Sequence, residues 1–133
     1  MAGTLYFWFW KVPLDVRVEG LLPRGRVLCL RAVGMDEHAV RLLYEIEPPV
    51  ERGRLWPDMC LWLLTARDNL GTEYGDAGGT IGTAPDGETT DGVRSLSRVA
   101  AERATELELS IRAAEAPAGA PPLCVMRVQI PPW

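Results

Sequence analysis

The sequence contains a single histidine, His38, and this scarcity limits the catalytic chemistry open to the chain. A Ser-His-Asp or Cys-His arrangement would have to use His38, which lies in a short polar connector between two strand-like segments. None of the serines lies in a G-x-S-x-G elbow. We therefore expect a solvent-exposed turn histidine and no hydrolytic site.

Lysine is equally scarce, since Lys11 is the only lysine among fourteen basic residues, which face eighteen acidic ones. The net charge of -4 is mild, and no segment concentrates arginine. A nucleic-acid-binding protein needs a basic face that displaces counterions from phosphate. The sequence therefore predicts no nucleic-acid partner. Its abundance of Ala, Gly, Pro and Arg is typical of proteins from GC-rich bacterial genomes.

Three cysteines, Cys29, Cys60 and Cys124, lie far apart, each within an apolar stretch. They form no CxxC pair or other metal-ligand spacing, so we predict no metal site and no cofactor. Because an odd number of cysteines in strand-like settings favours small core side chains, we expect three buried, reduced thiols. A bridge between Cys60 and Cys124 is the alternative that the sequence leaves open.

No apolar run in the sequence is long enough to span a membrane. The most aromatic candidate, Leu5–Trp10, is far shorter than the roughly 20 residues that a spanning helix needs. It also lacks the basic start, the longer apolar stretch and the small-residue cleavage site of a signal peptide. We therefore expect a soluble, cytoplasmic protein.

What the chain does have is the composition of an ordinary globular protein, with 47% apolar and 24% charged residues. Its length suits one domain, residues 1–133. Strand-like alternation with a period of two recurs in Val40–Glu47 and in the closing segment Cys124–Ile130. The apolar run Met59–Leu64, near the start of the stretch Asp58–Gly92, predicts a strand buried on both faces.

One region, Val93–Ala114, fits two secondary structures. Its apolar residues recur at spacings of three and four, with Asp91 placed to cap, which is typical of an amphipathic helix. Leu107, Leu109 and Ile111 also alternate with polar residues, which is typical of a strand. The pattern alone leaves both structures open.

A short motif, D-x-x-G-T-x-Y at Asp68–Tyr74, carries a family resemblance. Together with the strand before it, the glycine-rich loop after it, Ala104–Leu109 and the closing strand, it resembles uncharacterised immunoglobulin-like β-sandwich domains of actinobacterial proteins over residues 15–131. The resemblance implies an all-β, immunoglobulin-like antiparallel β-sandwich of seven to nine strands, in which Leu107–Ile111 is a strand. It implies no catalytic residues.

The loop over residues 68–92 is acidic and rich in glycine, as flexible calcium sites are. Its candidate ligands are Asp68, Asn69, Asp76, Asp86, Glu88 and Asp91. The EF-hand spacing is absent and such residues also build turns, so we predict turns rather than a metal site. Glu45 and Glu47 lie roughly 7 Å apart on one strand face, close to the spacing of glycosidase carboxylates, but we expect a solvated face. A metal-dependent or carbohydrate-active enzyme using loop 68–92 is the alternative hypothesis.

The N-terminal aromatic residues are the strongest candidates for a binding surface. Tyr6, Trp8 and Trp10 alternate along one face of a predicted strand or arm within residues 1–14, and aromatic residues are enriched in interfaces. The alternative is that this strand packs on the sandwich. We predict a non-enzymatic binding or accessory module with a protein partner or self-association and no identified small-molecule substrate. A structural subunit of a larger assembly is a further alternative.

Overall fold

Nine strands form two antiparallel sheets packed face to face in the computed structural model, which describes residues 7–133. The strands are β1 (Trp10–Val18), β2 (Val27–Met35), β3 (Val40–Glu47), β4 (Trp62–Asp68), β5 (Glu73–Tyr74), β6 (Asp76–Thr83), β7 (Thr90–Leu96), β8 (Glu106–Ala113) and β9 (Cys124–Gln129). One sheet has the order β1-β2-β3-β7-β6, and the other has the order β5-β4-β8-β9. A 3₁₀ turn, Arg52–Arg54, and a short helix α1, Leu55–Met59, connect β3 to β4. The predicted all-β antiparallel sandwich of seven to nine strands is confirmed.

The core between the sheets follows from the alternation of apolar residues along the strands. The inward residues of β3, almost fully buried as predicted, are Val40, Leu42, Tyr44 and Ile46. The inward residues of β9 and of the position after it are Cys124, Met126, Val128 and Ile130. A tight connector reverses the chain between β2 and β3, and these two strands pair antiparallel as predicted.

The region that fitted both a helix and a strand contains strand structure. β8 pairs on both sides, with β4 and with β9, and its residues Leu107, Leu109 and Ile111 are fully buried. Sheet pairing and the burial of one apolar face thus override the local helix propensity of this segment. Asp91, the expected helix cap, lies within β7 instead.

The strand predicted from Met59 begins later, at Trp62. Met59 is instead the last residue of α1, in which Asp58 is buried and accepts a hydrogen bond from Arg54 at 3.1 Å. A helical turn here brings the chain across from one sheet to the other before β4 starts. The prediction of a strand over Met59–Leu64 is therefore wrong for its first three residues.

The three cysteines are free thiols in different environments. Cys29 in β2 is buried as expected, and burial raises the pKa of its thiol. Cys60 is exposed because it directly follows α1 rather than lying in a strand, and Cys124 is only partly buried because β9 is an edge strand. The expectation of three buried thiols is wrong for these two.

Gly92 in β7 leaves room in the core for a large aromatic ring. It stands opposite Tyr44 of β3, and a Cβ atom at this position would overlap the Tyr44 ring. Tyr44 in turn packs edge-to-face against Trp62, with ring centroids 5.1 Å apart. The absence of a side chain at Gly92 therefore permits this aromatic pair between the sheets.

We expect Gly92→Ala to lower the free energy of unfolding by about 1–3 kcal/mol, the usual cost of overpacking a core. Gly82→Ala in the neighbouring β6 is the matched control, because a Cβ atom there meets nothing within 4 Å. That control should stay within about 0.5 kcal/mol of the wild type. Urea unfolding measures both variants, and equal losses would contradict the packing argument.

Candidate interaction surface

Of the three aromatic residues predicted to bind a partner, the structure describes Trp8 and Trp10, which have different environments. Trp10 opens β1 opposite Met35 and is 4% exposed, so its indole belongs to the core. Trp10 is thus unavailable on the surface, because pairing with β2 turns it inward. Trp8 is partly buried, and Tyr6 lies outside the described residues. A contact between Trp8 or Tyr6 and a partner stays a prediction.

Trp8 lies over the outer face of the five-stranded sheet. Its indole packs on Gly34, where an added Cβ atom would stand 2.7 Å from Cε3 of the ring. Nζ of Lys11 lies 5.7 Å from the ring centroid, within the range of a cation–π contact. Both side chains border a groove on this sheet face that is also lined by Leu43 and Val93.

Arg41, which also lines this groove, is paired with a carboxylate. Arg41 donates hydrogen bonds to Asp36 at 2.7 Å and to Ser95 Oγ at 2.6 Å. Burial alone would raise the pKa of Asp36, but hydrogen bonds from Arg41 and from the amides of His38 and Ala39 outweigh it and lower the pKa. The Arg41 charge is therefore balanced by a carboxylate within the same protein.

An aromatic cluster of Phe7, Phe9 and Trp133 lies exposed beside the start of β1. The Phe9 amide donates to the carbonyl of Met35 at 2.8 Å, which fixes the backbone here. The Phe9 ring stacks on Trp133 with centroids 5.2 Å apart, and Phe7 meets Phe9 edge-on at 5.6 Å. Phe7 is 75% exposed and Trp133 is 46% exposed. Neighbouring aromatic rings that face solvent are typical of interaction surfaces.

No local pattern in the sequence marks this aromatic cluster. Period-two alternation predicts that Trp8 and Trp10 lie on one face and that Phe7 and Phe9 lie on the other. That prediction is wrong for Trp8 and Trp10, because β1 begins only at Trp10, which points into the core, whereas Trp8 lies over the outer face of the sheet. Trp133 gave no signal, because its contact with Phe9 joins the two ends of the sequence.

Asp68, the first residue of the motif D-x-x-G-T-x-Y, holds a tight turn. Its carboxylate accepts hydrogen bonds from the amides of Leu70 and Thr72, both at 2.9 Å, and from the Tyr74 hydroxyl at 2.6 Å. Burial alone would raise the pKa of Asp68, but these hydrogen bonds outweigh it and lower the pKa. Burial, followed by the contact with Asp68, raises the pKa of Tyr74. The motif therefore has a structural role.

Asp76 belongs to a buried ion pair between the two sheets. Its Oδ2 lies 2.9 Å from Arg94 and accepts a hydrogen bond from the Leu64 amide at 2.8 Å. Arg94, only 3% exposed, donates to the carbonyl of Trp62 at 2.8 Å, and its guanidinium lies 3.9 Å from the centroid of that indole. The pair ties β6 and β7 to β4 and satisfies backbone groups of β4 that the short β5 leaves open.

The remaining acidic residues of segment 68–92 lie on the surface. Asp86 accepts a hydrogen bond from the Glu88 amide, and Asp91 accepts one from the Thr89 hydroxyl, each at 2.9 Å. Within residues 7–133, no three His, Cys, Asp or Glu side chains lie together in a group that could hold a metal ion. The structure thus does not bring the candidate ligands of this segment together.

The paired glutamates and the single histidine also lie on the surface. Glu45 accepts a hydrogen bond from Arg31 at 3.2 Å, and Glu47 accepts one from Arg17 at 2.8 Å, which lowers the pKa of Glu47. His38 is exposed in the turn before β3. These are the positions of a solvated strand face and an exposed turn, as expected.

The fold and this surface define an all-β sandwich domain, and comparison with known proteins assigns it no family. No family model matches the chain, and no curated protein matches it. It is similar to a solved structure described as "The crystal structure of the conserved domain protein from Bacillus anthracis", with a TM-score of 0.41 and 20% identity. The match covers 77% of this chain and 35% of that chain, so this chain spans about a third of that protein's length. In the described part of the chain, no helix is long and apolar enough to cross a membrane.

Proposed function

We propose that this chain is a non-enzymatic binding module that acts through a protein partner. The observation that carries the proposal is the exposed aromatic cluster of Phe7, Phe9 and Trp133. Large rings supply much contact area at a low cost in side-chain entropy, and they are enriched in protein interfaces. The pairing of Arg41 with Asp36 lowers the positive charge available in the neighbouring groove, which favours a protein over a phosphate-bearing ligand.

The strand order supports an immunoglobulin-like assignment of the sandwich. Strands β2-β3-β7-β6 follow the order A-B-E-D, and β4-β8-β9 follow the order C-F-G, of an immunoglobulin constant domain. β1 is then an added edge strand, and β5 is a short strand beside β4. A fold alone does not assign a function, so this agreement supports the scaffold and not the binding role. An actinobacterial origin and a cytoplasmic location remain predictions from the sequence.

The two alternatives to a binding module, a structural subunit and an enzyme, have different support. A structural subunit of a larger assembly would use the same aromatic cluster against a fixed neighbour. An enzyme built on segment 68–92 has less support, because Asp68 and Asp76 are engaged in separate buried contacts. The binding module therefore remains our proposal.

The double variant Phe7→Ser/Trp133→Ser tests the proposed function. The tagged, purified chain is mixed with extract of the source cells, and the captured proteins are quantified by mass spectrometry. We expect the wild type to retain a partner that the double variant captures at least about tenfold less, a loss of about 1.4 kcal/mol in binding. The reason is that the aromatic rings at the centre of an interface carry most of its energy.

Trp56→Ser is the matched control for the double variant. Trp56 is 68% exposed on α1, which contacts β6 at the far edge of the five-stranded sheet from β1. General hydrophobic adhesion would fall in both variants, whereas a specific interface would fall in the double variant alone. Equal capture by the wild type and the double variant, together with an unchanged mass in light scattering, would contradict the proposed surface.

A further inference from the structure

We propose that the free edge of β9 accepts an extended segment of a partner protein as a fifth strand of the four-stranded sheet. The inference rests on the proposed binding function, and it states where on the protein the partner binds and how it is recognised. It starts from the unequal size of the two sheets, which have five strands and four strands.

Within residues 7–133, no strand of the opposite sheet covers the inner face of β1. Across the sandwich β4 contacts both β6 and β7, so counting along the sheets sets β8 over β7 and β3, and β9 over β3 and β2. β1 therefore extends past β9. The burial agrees, because Trp10 and Val18 at the ends of β1 are buried, whereas Val12, Leu14 and Val16 between them are only partly buried.

The outer edge of β9 presents backbone groups without partners in the described part of the chain. The Ile130 amide donates to the carbonyl of Thr105, just before β8, at 2.9 Å. Hydrogen bonding alternates along an antiparallel pair, so the even-numbered residues of β9 bond to β8. The amides and carbonyls of Val125, Arg127 and Gln129 therefore point away from β8. Such a row of donors and acceptors is a template for an added strand.

The other sheet edges carry a proline, a register shift or a very short strand, and β9 carries none of these three features. β1 contains Pro13 and an irregular register between Pro13 and Val16. β6 has a register shift between Asp76 and Gly79, and β5 is two residues long. Prolines, bulges and short strands are the usual protection of sheet edges. β9 has no proline and exposes Val125 to 50%.

The side chains around this edge specify the chemistry of the added strand. Alternate residues of that strand would cover Leu14 and Met126 and must be apolar, since a strand places every second side chain on one face. Its remaining residues would face solvent beside Val125 and Arg127. Arg127 already contacts Glu108 of β8 through Nε at 3.3 Å. Because its side chain is 72% exposed, the rest of its guanidinium can also pair with an acidic residue on the added strand. The partner segment therefore alternates apolar residues with at least one acidic residue.

A second copy of the chain fits this edge less well than a separate segment. Two-fold pairing of β9 with itself, when it is centred on the middle of the free edge, places one Arg127 opposite the other, and like charges on neighbouring strands destabilise a sheet. It also brings two β1 strands, each of which extends past its own β9, into the same space. A single extended segment has neither conflict.

A displayed library of random octapeptides, selected against the full chain, is the probe for this edge. We expect the selected peptides to alternate apolar residues and to carry an acidic residue. A synthetic peptide of the selected sequence should slow amide hydrogen exchange at Val125, Arg127 and Gln129. The amides of Met126 and Val128, which already bond to β8, serve as the internal reference.

Arg127→Pro removes the amide hydrogen at the centre of the free edge and spares the bonds to β8, as proline on an edge strand can do. We expect peptide binding at least about tenfold weaker than in the wild type. Arg127→Ala, the matched control, retains the amide and should weaken binding by less. Urea unfolding checks that both variants fold, and Val125→Lys replaces the proline variant if that variant is unfolded, with the same expected loss.

Two kinds of result would overturn strand addition. Strand addition is contradicted if the bound peptide leaves the amides of Val125, Arg127 and Gln129 unprotected. It is also contradicted if the peptide binds Arg127→Pro as tightly as the wild type. Self-association that Arg127→Pro abolishes would assign the edge to a second copy instead. A cellular partner that is lost by Phe7→Ser/Trp133→Ser but kept by Arg127→Pro would retain the proposed function and reject this edge.

Discussion

Arg94→Met should lower the free energy of unfolding by about 3–5 kcal/mol, the usual cost of removing one partner of a buried ion pair. Arg94 is 3% exposed and lies 2.9 Å from Asp76, so the substitution leaves a carboxylate between the sheets with little water to solvate it. The carbonyls of Trp62 and Met59 lose their donor at the same time. Equilibrium unfolding in urea at neutral pH measures the loss.

Two further variants identify the source of that loss. In the Arg94→Met background, Asp76→Asn removes the unpaired charge, and the amide oxygen can still accept from Leu64. The double variant should be more stable than the summed single losses predict, with a coupling of about 0.5–3 kcal/mol. Arg127→Met breaks an exposed pair with Glu108 and should cost less than about 1 kcal/mol. A loss for Arg94→Met no larger than this control would contradict the role of the buried pair.

The strands that could be predicted are those whose inward face is apolar. β3 and β9 alternate apolar and polar residues, and both have the predicted inward face. β7 does not follow this rule, because its inward residues include Thr90, Gly92 and Arg94. Each of these three residues makes or permits a specific contact with another part of the fold. Thr90 accepts a hydrogen bond from the Val50 amide, Gly92 makes room for an aromatic ring, and Arg94 bonds to β4.

The candidate surface was predictable only in part, for a related reason. The composition of the N-terminal run indicated an aromatic surface, but alternation placed Trp8 and Trp10 on one face, whereas only Trp10 points into the core. Which face is exposed depends on how β1 pairs with β2, and no local pattern encodes that choice. The stacking of Phe9 on Trp133 and the unequal size of the two sheets are likewise consequences of topology.

Asp68→Ala should cost about 3 kcal/mol, because hydrogen bonds to a charged group contribute about 1.5–3 kcal/mol and buried donors would lose their acceptor. The Tyr74 hydroxyl should account for the largest part of this loss, since Tyr74 is 2% exposed and donates to Asp68 at 2.6 Å. The amides of Leu70 and Thr72 lie in the turn and can reach water more easily. Urea unfolding of this variant and of Tyr74→Phe separates the two contributions, and an unchanged stability in both would contradict the structural role of the motif.

The contribution of Asp68 should also depend on pH, because the folded protein holds its pKa below the ordinary value of 3.8. A carboxyl group with a lowered folded pKa adds stability above its unfolded pKa and loses it as the pH falls through the folded pKa. The stability gap between the wild type and Asp68→Asn should therefore be constant near neutral pH and close as the pH falls below 3.8.

Asp36 also has a lowered pKa, but it is present in both proteins and cancels from their difference. Asp86→Asn is the matched control, because Asp86 accepts a hydrogen bond from the Glu88 amide in an exposed turn. Its gap from the wild type should be near zero throughout the titration. A gap for Asp68→Asn that stays undiminished in acid would mean that the folded state is stabilised by the shape of this side chain and not by its charge.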